Sequence, residues 1–472
     1  MQAQTFRKVF FVLFFFLYLP FAYHHGFALH KAPLVDLPSF YYAAQTAFLH
    51  GQSPYPPHAL DWGARTVHRI VWPFLYPPPT LLLFSPFAAM PYKAAQLLLL
   101  ASSHACILLL LFLLLRILGL SDLLRRPAGS EADAETGDSG FRKEFVALFV
   151  LVYLFLFQPL VSTLLSGQID FYVIVLLCLT WIALKRNAAP ALIALPLVLA
   201  IVLKTYPLLL LPILLIKGRW RVAAWTLGYL VPFVVVSVLV LPHAVWHDWL
   251  SFVVPYGAYS KTPLGLFPVY EVWNQSINGF TSRLFIDPET MLFPSRLAAR
   301  VVPTALAAGI VGTAIFLSWR LRLARKGREI ALRQEAAEGQ ELDWEFGLFL
   351  LTMFLVAPLS WEHHLVFVLP AICVAFRQIF LVGESRRVMF WVAGAAFVLA
   401  WPIPVDAAVL DMRTFHLLLS LKMYGVVVLW AYFAIRLWHF GRLDMEDRLL
   451  LPRKDVPAPL PAVSVPNAPG SF

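Results

Sequence analysis

Residues 194–215 read ALPLVLAIVLKTYPLLLLPILL, an apolar run in which Lys204 is the single charged residue. A membrane-spanning helix needs about 20 apolar residues. A lysine at the centre of such a helix costs about 2.5–3.5 kcal/mol on insertion scales. Lys204 and the nearby Pro207 therefore predict a break between two short membrane segments. The lysine either extends to the outer membrane interface or binds a phosphate, and we favour phosphate binding.

The composition of the whole chain is that of a membrane protein. Of the 472 residues, 60% are hydrophobic and 14% are charged, whereas soluble proteins carry roughly 25% charged residues. The formal net charge of +10 would suggest a nucleic-acid partner only if the basic residues shared a soluble domain, and none is visible. Cys106, Cys178 and Cys373 lie in apolar runs, which predicts packing roles rather than a disulfide framework.

Hydropathy predicts an all-α polytopic membrane protein with about 12 transmembrane helices. The expected helices are 8–28, 92–118, 144–164, 169–185, 188–203, 205–217, 220–241, 300–320, 345–359, 364–381, 387–404 and 415–438. We interpret residues 1–442 as one membrane domain with a disordered cytoplasmic loop at about 121–142. Residues 443–472 are predicted to form a disordered, proline-rich cytoplasmic tail.

Basic residues indicate the orientation of these helices. They accumulate in alternate loops, at 7–8, 125–126, 142–143, 185–186, 217–221, 320–333, 386–387 and 436–442. Because cytoplasmic loops are enriched in lysine and arginine, these loops and both termini are predicted to be cytoplasmic. The long loops 29–91 and 243–299 then lie on the outer face, together with most of the polar residues that suggest function.

Asp36 is the first of these polar residues. It follows the first hydrophobic segment in the stretch VDLPSFYY, residues 35–42. An aspartate here could cap a helix that begins at Ser39, or it could act as a general base at the membrane surface. The residues alone favour neither interpretation over the other.

Further polar residues on the predicted outer face are candidates for substrate binding: Tyr41, Gln168, Asn274, Gln275, Arg283, His363 and His364. Adjacent histidines on a helix point in different directions, so we expect one of His363 and His364 to pack structurally and the other to bind substrate or carry a proton. The sequence has no set of metal ligands at the usual spacings, so no metal site is predicted. Asn274-Gln275-Ser276 also matches the short glycosylation motif.

Several short segments, taken in order, resemble glycosyltransferase family 87, which is typified by polyprenyl-phosphate-mannose-dependent mannosyltransferases. The segments are Asp36 with FYYAA at 40–44, GQSPY at 51–55, FLYPP at 74–78, Gly167-Gln168, KTYP at 204–207, NQS at 274–276 and APLSWEHH at 357–364. The resemblance covers roughly residues 36–370.

This resemblance implies a GT-C-type glycosyltransferase fold with its active site at the outer face of a bacterial inner membrane. The implied partners are the lipid bilayer, a polyprenyl-phosphate sugar donor and a glycolipid or glycan acceptor, without nucleic acid or cofactor. Asp36 corresponds to the family's catalytic base, and Lys204 to its lysine. The implied reaction transfers a sugar, mannose in the typical case, with inversion. Lys204, Arg283 and one of the two histidines would stabilise the departing phosphate without a metal.

Two alternatives remain open on the sequence. A lipid-linked glycan transporter or flippase also places charges inside a helical bundle, although it is expected to place them near the membrane midplane. A transferase similar to O-antigen ligases would use a diphosphate-linked donor and would favour more arginines on the outer loops than Arg65, Arg69, Arg283 and a few neighbours.

Overall fold

The computed structural model describes residues 3–27, 34–124, 138–262, 266–325, 334–402 and 416–450. Within these ranges there is no β-strand, only an isolated antiparallel bridge between Asn274 and Trp361. The α-helices are α1 Ala3–Ala22, α2 Leu37–Phe48, α3 Asp61–Val67, α4 Pro78–Ala88, α5 Tyr92–Ile117, α6 Asp138–Leu156, α7 Gln158–Ser166, α8 Asp170–Lys185, α9 Pro190–Leu203, α10 Leu210–Ile216, α11 Trp220–Val240, α12 Ala244–Phe252, α13 Ile277–Phe285, α14 Ala298–Arg325, α15 Gln334–Val356, α16 Leu369–Arg377, α17 Arg386–Ala400 and α18 Leu421–Leu450. The helical class predicted from the sequence is confirmed.

The described residues contain six helical stretches that are long and apolar enough to cross a membrane. They are Gln4–Gly26, Tyr92–Ile117, Trp220–Val240, Ala298–Leu323, Glu362–Val382 and Leu417–Phe440. A seventh results if α6 and α7, which bend by 43° at their junction, together form one span. The chain is therefore a membrane protein, although the predicted count of about 12 transmembrane helices is not confirmed.

The difference from the predicted count has a local cause. The helices α8, α9 and α10 contain 16, 14 and 7 residues, which is short of the roughly 20 residues that cross a bilayer. A sequence window measures how apolar a stretch is, but it does not show where the helix ends. In α15 the apolar stretch occupies only the second half, because acidic residues recur through the first half.

Helix α8 lies at the centre of the bundle, packed against α5 and α9. Its buried Trp181 stacks on Phe346 of α15, with ring centroids 4.6 Å apart. At the C-terminal end of α8, the fully buried Asp343 accepts hydrogen bonds from Lys185 and Trp181 and pairs with Arg377 at 2.8 Å. This cluster connects α8, α15 and α16. The Asp343 carboxylate has several partners, as a buried charge requires.

Three interruptions of the helices position the polar side chains at the other end of α8. The helix α7 ends at Gly167, whose φ of +68° is the left-handed conformation that glycine adopts without strain. The helix α9 ends at Lys204, which has an extended backbone. A 3₁₀ helix, Glu362–Val368, precedes α16. Each break turns a polar residue toward a common space instead of toward lipid.

We predicted disorder in a cytoplasmic loop at about residues 121–142 and in the tail from residue 443. The helix α18 extends to Leu450, so residues 443–450 are helical, whereas we predicted a disordered tail from residue 443. Residues 451–472 lie outside the described residues, as do residues 125–137 of the predicted cytoplasmic loop.

Candidate active site

A cavity of about 770 Å³ lies where α7 and α9 end and the 3₁₀ helix begins. Its lining includes the polar residues Asp36, Gln168, Lys204, Glu362, His363 and His364. It also includes apolar and aromatic residues, among them Trp72, Trp249, Val253, Val254, Leu266 and Phe267. A cavity of this size with convergent polar groups is typical of a small-molecule site.

Asp36 does not cap the helix that follows it. The helix α2 begins at Leu37, and Asp36 occupies the capping position, but its side chain makes no hydrogen bond to the helix backbone. Instead, Gln168 Nε2 donates to Asp36 Oδ2 at 2.8 Å. The carboxylate is half-buried and lines the cavity. This contact removes the capping interpretation and leaves a carboxylate directed at the site.

A chain of hydrogen bonds fixes the direction of the Asp36 carboxylate. The Tyr76 hydroxyl donates to Gln168 Oε1 at 3.0 Å, so the amide nitrogen of Gln168 faces Asp36. The backbone N–H of Asp36 donates to the Ser166 carbonyl at 2.7 Å. A Cβ on Gly167 would lie 2.8 Å from the Leu34 side chain. Gln168, which we predicted to bind substrate, therefore holds the candidate base.

Burial raises the pKa of Asp36 to about 6, and the repulsion from Asp170 acts in the same direction. The hydrogen bond from Gln168 and the positive charges of Lys204 and Arg69 oppose this shift, because they favour the charged carboxylate. A carboxyl group with a pKa near 6 is ionised at neutral pH and still accepts a proton readily, which suits a general base.

Lys204 is 5% exposed, so it does not extend to the membrane interface. Its ammonium pairs with Asp170 and lies 2.8 Å from His364 Nε2. Because an ammonium only donates hydrogen bonds, His364 Nε2 is the acceptor in this contact. Lys204 also lines the cavity. The structure thus places a paired cation at the wall of the site, where a phosphate can reach it.

Both histidines line the cavity, whereas we expected one of them to pack structurally. Their ring centroids are 4.4 Å apart and the rings are nearly perpendicular. The backbone carbonyl of His363 accepts from the Thr163 hydroxyl at 3.0 Å, which ties the 3₁₀ helix to α7. In a 3₁₀ helix the side chains turn by about 120° per residue, and here both still reach the same cavity.

Asp170 was not among our candidate site residues. Its carboxylate and the imidazole nitrogens of His363 and His364 lie within 4.8 Å of one another, an arrangement that could hold a metal ion. The Lys204 ammonium, however, already contacts both Asp170 and His364. A signal for Asp170 was present in the sequence, because this acid opens an apolar run directly after Gly167-Gln168.

Lys422 is a second residue that the sequence reasoning missed. It lies in α18, is buried, and pairs with Glu362 at the cavity wall. Like Lys204, it is a lysine inside an apolar stretch. That pattern was the available signal, since a charge in such a segment is rarely retained without a partner or a function.

Arg283, Asn274, Gln275 and Tyr41, for which we predicted substrate contacts, do not line this cavity. Arg283 is fully buried and donates to the carbonyls of Glu271 at 2.8 Å and Asn274 at 3.1 Å, and to Ser420 Oγ at 2.8 Å. The Tyr41 hydroxyl donates to the Met90 carbonyl at 2.9 Å. Their hydrogen-bonding groups are directed at the protein itself.

Asn274 and Gln275 support the segment that carries the histidines. Asn274 Oδ1 accepts from the Ser360 N–H at 3.1 Å, and the Gln275 N–H donates to the Ser360 carbonyl at 2.8 Å. Asn274 has no exposed surface, so in the folded protein it is not accessible as a glycosylation site. The amides predicted to touch substrate instead fix the start of the 3₁₀ helix.

Comparison with known proteins identifies the family. The sequence model of glycosyltransferase family 87 matches residues 74–339, more than half of the chain. The matched residues include Gln168, Asp170 and Lys204, whereas Asp36 and the histidine pair lie outside them. Among curated proteins, none matches this chain. The chain belongs to glycosyltransferase family 87 and is a membrane glycosyltransferase.

Proposed function

We propose that this enzyme transfers mannose from a polyprenyl-phosphate-linked donor to a hydroxyl of a glycolipid or glycan, with inversion at the anomeric carbon. The observation that carries the proposal is the cavity in which Asp36 and Lys204 line the same space. One is a carboxylate that can take a proton, and the other is a cation that can receive a phosphate. A sugar-phosphate donor needs both groups.

The proposed reaction assigns a role to each group. Asp36 takes the proton of the acceptor hydroxyl while that oxygen forms a bond to the anomeric carbon. The bond between the anomeric carbon and the phosphate oxygen breaks, and its electrons remain on the departing polyprenyl phosphate. Lys204 stabilises the additional negative charge, and His363 and His364 are proposed to hydrogen-bond the same phosphate. Protonation of the leaving group is not required, because a phosphate monoester is a stable anion.

The apolar residues in the cavity lining support a lipid-linked donor. Trp249, Val253 and Val254 belong to α12 and the segment after it, and Val254 and Phe267 also expose large parts of their side chains. A soluble nucleotide sugar would leave this surface without a partner, whereas a polyprenyl chain would cover it. Arg283 is engaged with the backbone, which weakens the alternative of a diphosphate-linked donor. Family membership excludes the transporter as the main function.

We further propose a GT-C-type fold for residues 1–442, with both termini in the cytoplasm and the cavity on the periplasmic face of a bacterial inner membrane. The distribution of basic residues supports this orientation. We propose no metal requirement, since the Lys204 ammonium contacts two of the three ligands that a metal would use.

Sugar transfer in purified membranes tests the proposal, with radiolabelled polyprenyl-phosphate-mannose as the donor. We expect the wild type to label a glycolipid or glycan, and Asp36→Asn to lower turnover by at least about 100-fold, a loss typical for a general base. Asp61→Asn is the matched control, because Asp61 is a solvent-exposed carboxylate of the same outer loop. Its activity should equal that of the wild type.

The outcomes separate the parts of the proposal. Normal turnover of a folded Asp36→Asn variant would remove Asp36 as the base but keep the transferase. Transfer only from other lipid-phosphate sugars would correct the sugar. The anomeric configuration of the isolated product, determined by NMR, distinguishes inversion from retention.

A further inference from the structure

Asp170 has no part in the reaction proposed above. It is the first residue of α8, it is fully buried, and it does not line the cavity. Its carboxylate pairs with the Lys204 ammonium. Its Oδ2 lies 3.9 Å from His363 Nε2 and 3.8 Å from His364 Nε2. Asp170 therefore contacts the cation of the site from outside the cavity.

The ammonium of Lys204 depends on this contact. A buried charge is stable only with an opposite charge and hydrogen bonds around it. Within the described residues, Asp170 is the acid that pairs directly with Lys204 Nζ. The rings of Tyr76, Tyr206 and Phe367 lie 5.9, 6.0 and 5.7 Å from Nζ and add weaker cation–π attraction. The N-terminus of α8 in turn favours the negative charge of Asp170.

We propose that Asp170 is a positioning residue that keeps Lys204 charged and directs one of its N–H groups at the donor phosphate. This inference rests on the proposed function. A lysine ammonium has three N–H donors. The contacts with Asp170 and His364 engage two of them, and the third remains for a ligand in the cavity. Without Asp170 the ammonium would lose both its counter-charge and its fixed direction.

The geometry also explains why a carboxylate is needed so close to a phosphate site. The ligand atoms of Asp170, His363 and His364 lie within 4.8 Å of one another, and the lysine contacts two of them. The ammonium thus takes the place that a metal ion would occupy in such a set. Because Asp170 pairs with the ammonium but does not line the cavity, it can balance the charge without blocking the phosphate.

The experiment compares wild type, Asp170→Asn, Lys204→Met and the double variant in the full-length protein. We expect Asp170→Asn to lower kcat by about 10- to 100-fold, by analogy with the loss of residues that orient the ligands of a metal ion. In the Lys204→Met background, Asp170→Asn should cause no further loss, because its effect passes through the lysine. An equal loss in both backgrounds would contradict the proposal.

The pH dependence of activity distinguishes this role from a merely structural one, which would not change the pH dependence. Without Asp170, the buried ammonium gives up its proton more easily, so the activity of Asp170→Asn should fall at alkaline pH where the wild type remains active. The other titratable groups that face the ammonium are Asp36, Tyr76, Tyr206, His363 and His364, and all of them remain in the variant. An unchanged alkaline limb would overturn the inference.

Asp343→Asn is the matched control, since Asp343 is an equally buried carboxylate paired with Lys185 at the opposite end of α8. We expect this control to lower the melting temperature without any alkaline loss of activity. If Asp170→Asn fails to fold, recovery of folding in the double variant supports the pair. A double variant that stays unfolded while Lys204→Met folds would contradict it.

Binding of farnesyl phosphate, measured by calorimetry, separates this inference from the proposed function. If the wild type transfers no sugar but binds farnesyl phosphate, and Asp170→Asn weakens that binding, the positioning role holds and the reaction is wrong. If the wild type transfers sugar and Asp170→Asn matches it in turnover and binding, only the positioning role is wrong. A wild type without transfer or binding would overturn both.

Discussion

At the scale of single residues, the groups that line the cavity depend on hydrogen-bonding partners for their orientation. Gln168 was a candidate substrate ligand, but its amide is held between the Tyr76 hydroxyl and the Asp36 carboxylate. A glutamine amide has one donor and one acceptor end, so the hydroxyl on one end fixes the donor on the other. The candidate base is therefore oriented before any substrate binds.

This arrangement predicts a pH dependence. The pKa of Asp36 is raised to about 6, and only the ionised carboxylate can accept a proton, so activity should fall as the pH drops through about 6. Gln168→Ala removes a hydrogen bond that favours the ionised form, and its acid limb should therefore move to higher pH. The measurement is kcat/KM for sugar transfer across a pH series. Gln52→Ala, at an exposed glutamine between α2 and α3, serves as the control.

An acid limb at the same pH in Gln168→Ala and in Gln52→Ala would show that the glutamine does not act on the base. A limb that moves to lower pH would contradict the assigned direction of the hydrogen bond.

At the scale of elements, the turn before α13 acts as a support for the 3₁₀ helix that carries the histidines. Asn274 contacts Ser360, and Arg283 binds the carbonyls of the same turn. Close packing accompanies these contacts, since a Cβ on Gly279 would lie 2.2 Å from the Asn274 carbonyl oxygen. In the structure, the polar side chains of Asn274 and Arg283 hydrogen-bond the protein itself.

We predict that Gly279→Ala destabilises the protein and lowers its activity, because the Asn274 backbone must move to admit the methyl group. Overpacking of this kind typically costs about 1–3 kcal/mol. Gly312→Ala is the matched control, since that glycine lies within α14 and a Cβ there would meet nothing within 4 Å. Alanine should leave stability unchanged or raise it by about 1 kcal/mol through its helix propensity. Thermal unfolding in detergent measures both, and equal melting temperatures would refute the packing argument.

At the scale of the whole molecule, two charged clusters lie at opposite ends of α8. The helix has 16 residues, so its ends are about 24 Å apart at 1.5 Å per residue. Asp170 and Lys204 lie at one end, and Lys185 and Asp343 lie at the other. The site cluster borders a cavity, whereas Asp343 has several partners in the protein. The orientation in the membrane decides on which side of the bilayer the site cluster lies.

Cysteine labelling tests this orientation. Gln52 and Arg186 are exposed residues of loops that we assign to opposite faces. A membrane-impermeant maleimide should label Gln52→Cys in spheroplasts and Arg186→Cys only after permeabilisation, because the basic loop at 185–186 is predicted to be cytoplasmic. The unsubstituted protein gives the background, since Cys178 and Cys373 are buried and Cys106 lies in α5. The reverse labelling pattern would place the cavity on the cytoplasmic side.

Much of the architecture could be predicted from local features. The apolar runs identified a helical membrane protein, and Lys204 marked a break between two helices where α9 does end. The number of membrane helices could not be predicted in the same way, because α8, α9 and α10 are apolar through burial inside the bundle as much as through contact with lipid. Hydropathy does not distinguish these two environments.

The sequence by itself determined the class of this protein and singled out Asp36, Lys204 and the histidine pair as polar residues in unusual places, because apolar runs and isolated charges are local properties of a chain. Only the tertiary structure decided which of them share a cavity and which partners they have. Gln168 reaches Asp36 across 132 residues, and Lys204 reaches His364 across 160. Such contacts depend on how the helices pack. For that reason the sequence did not indicate that Asp170 pairs with Lys204, or that Arg283 lies outside the cavity lining.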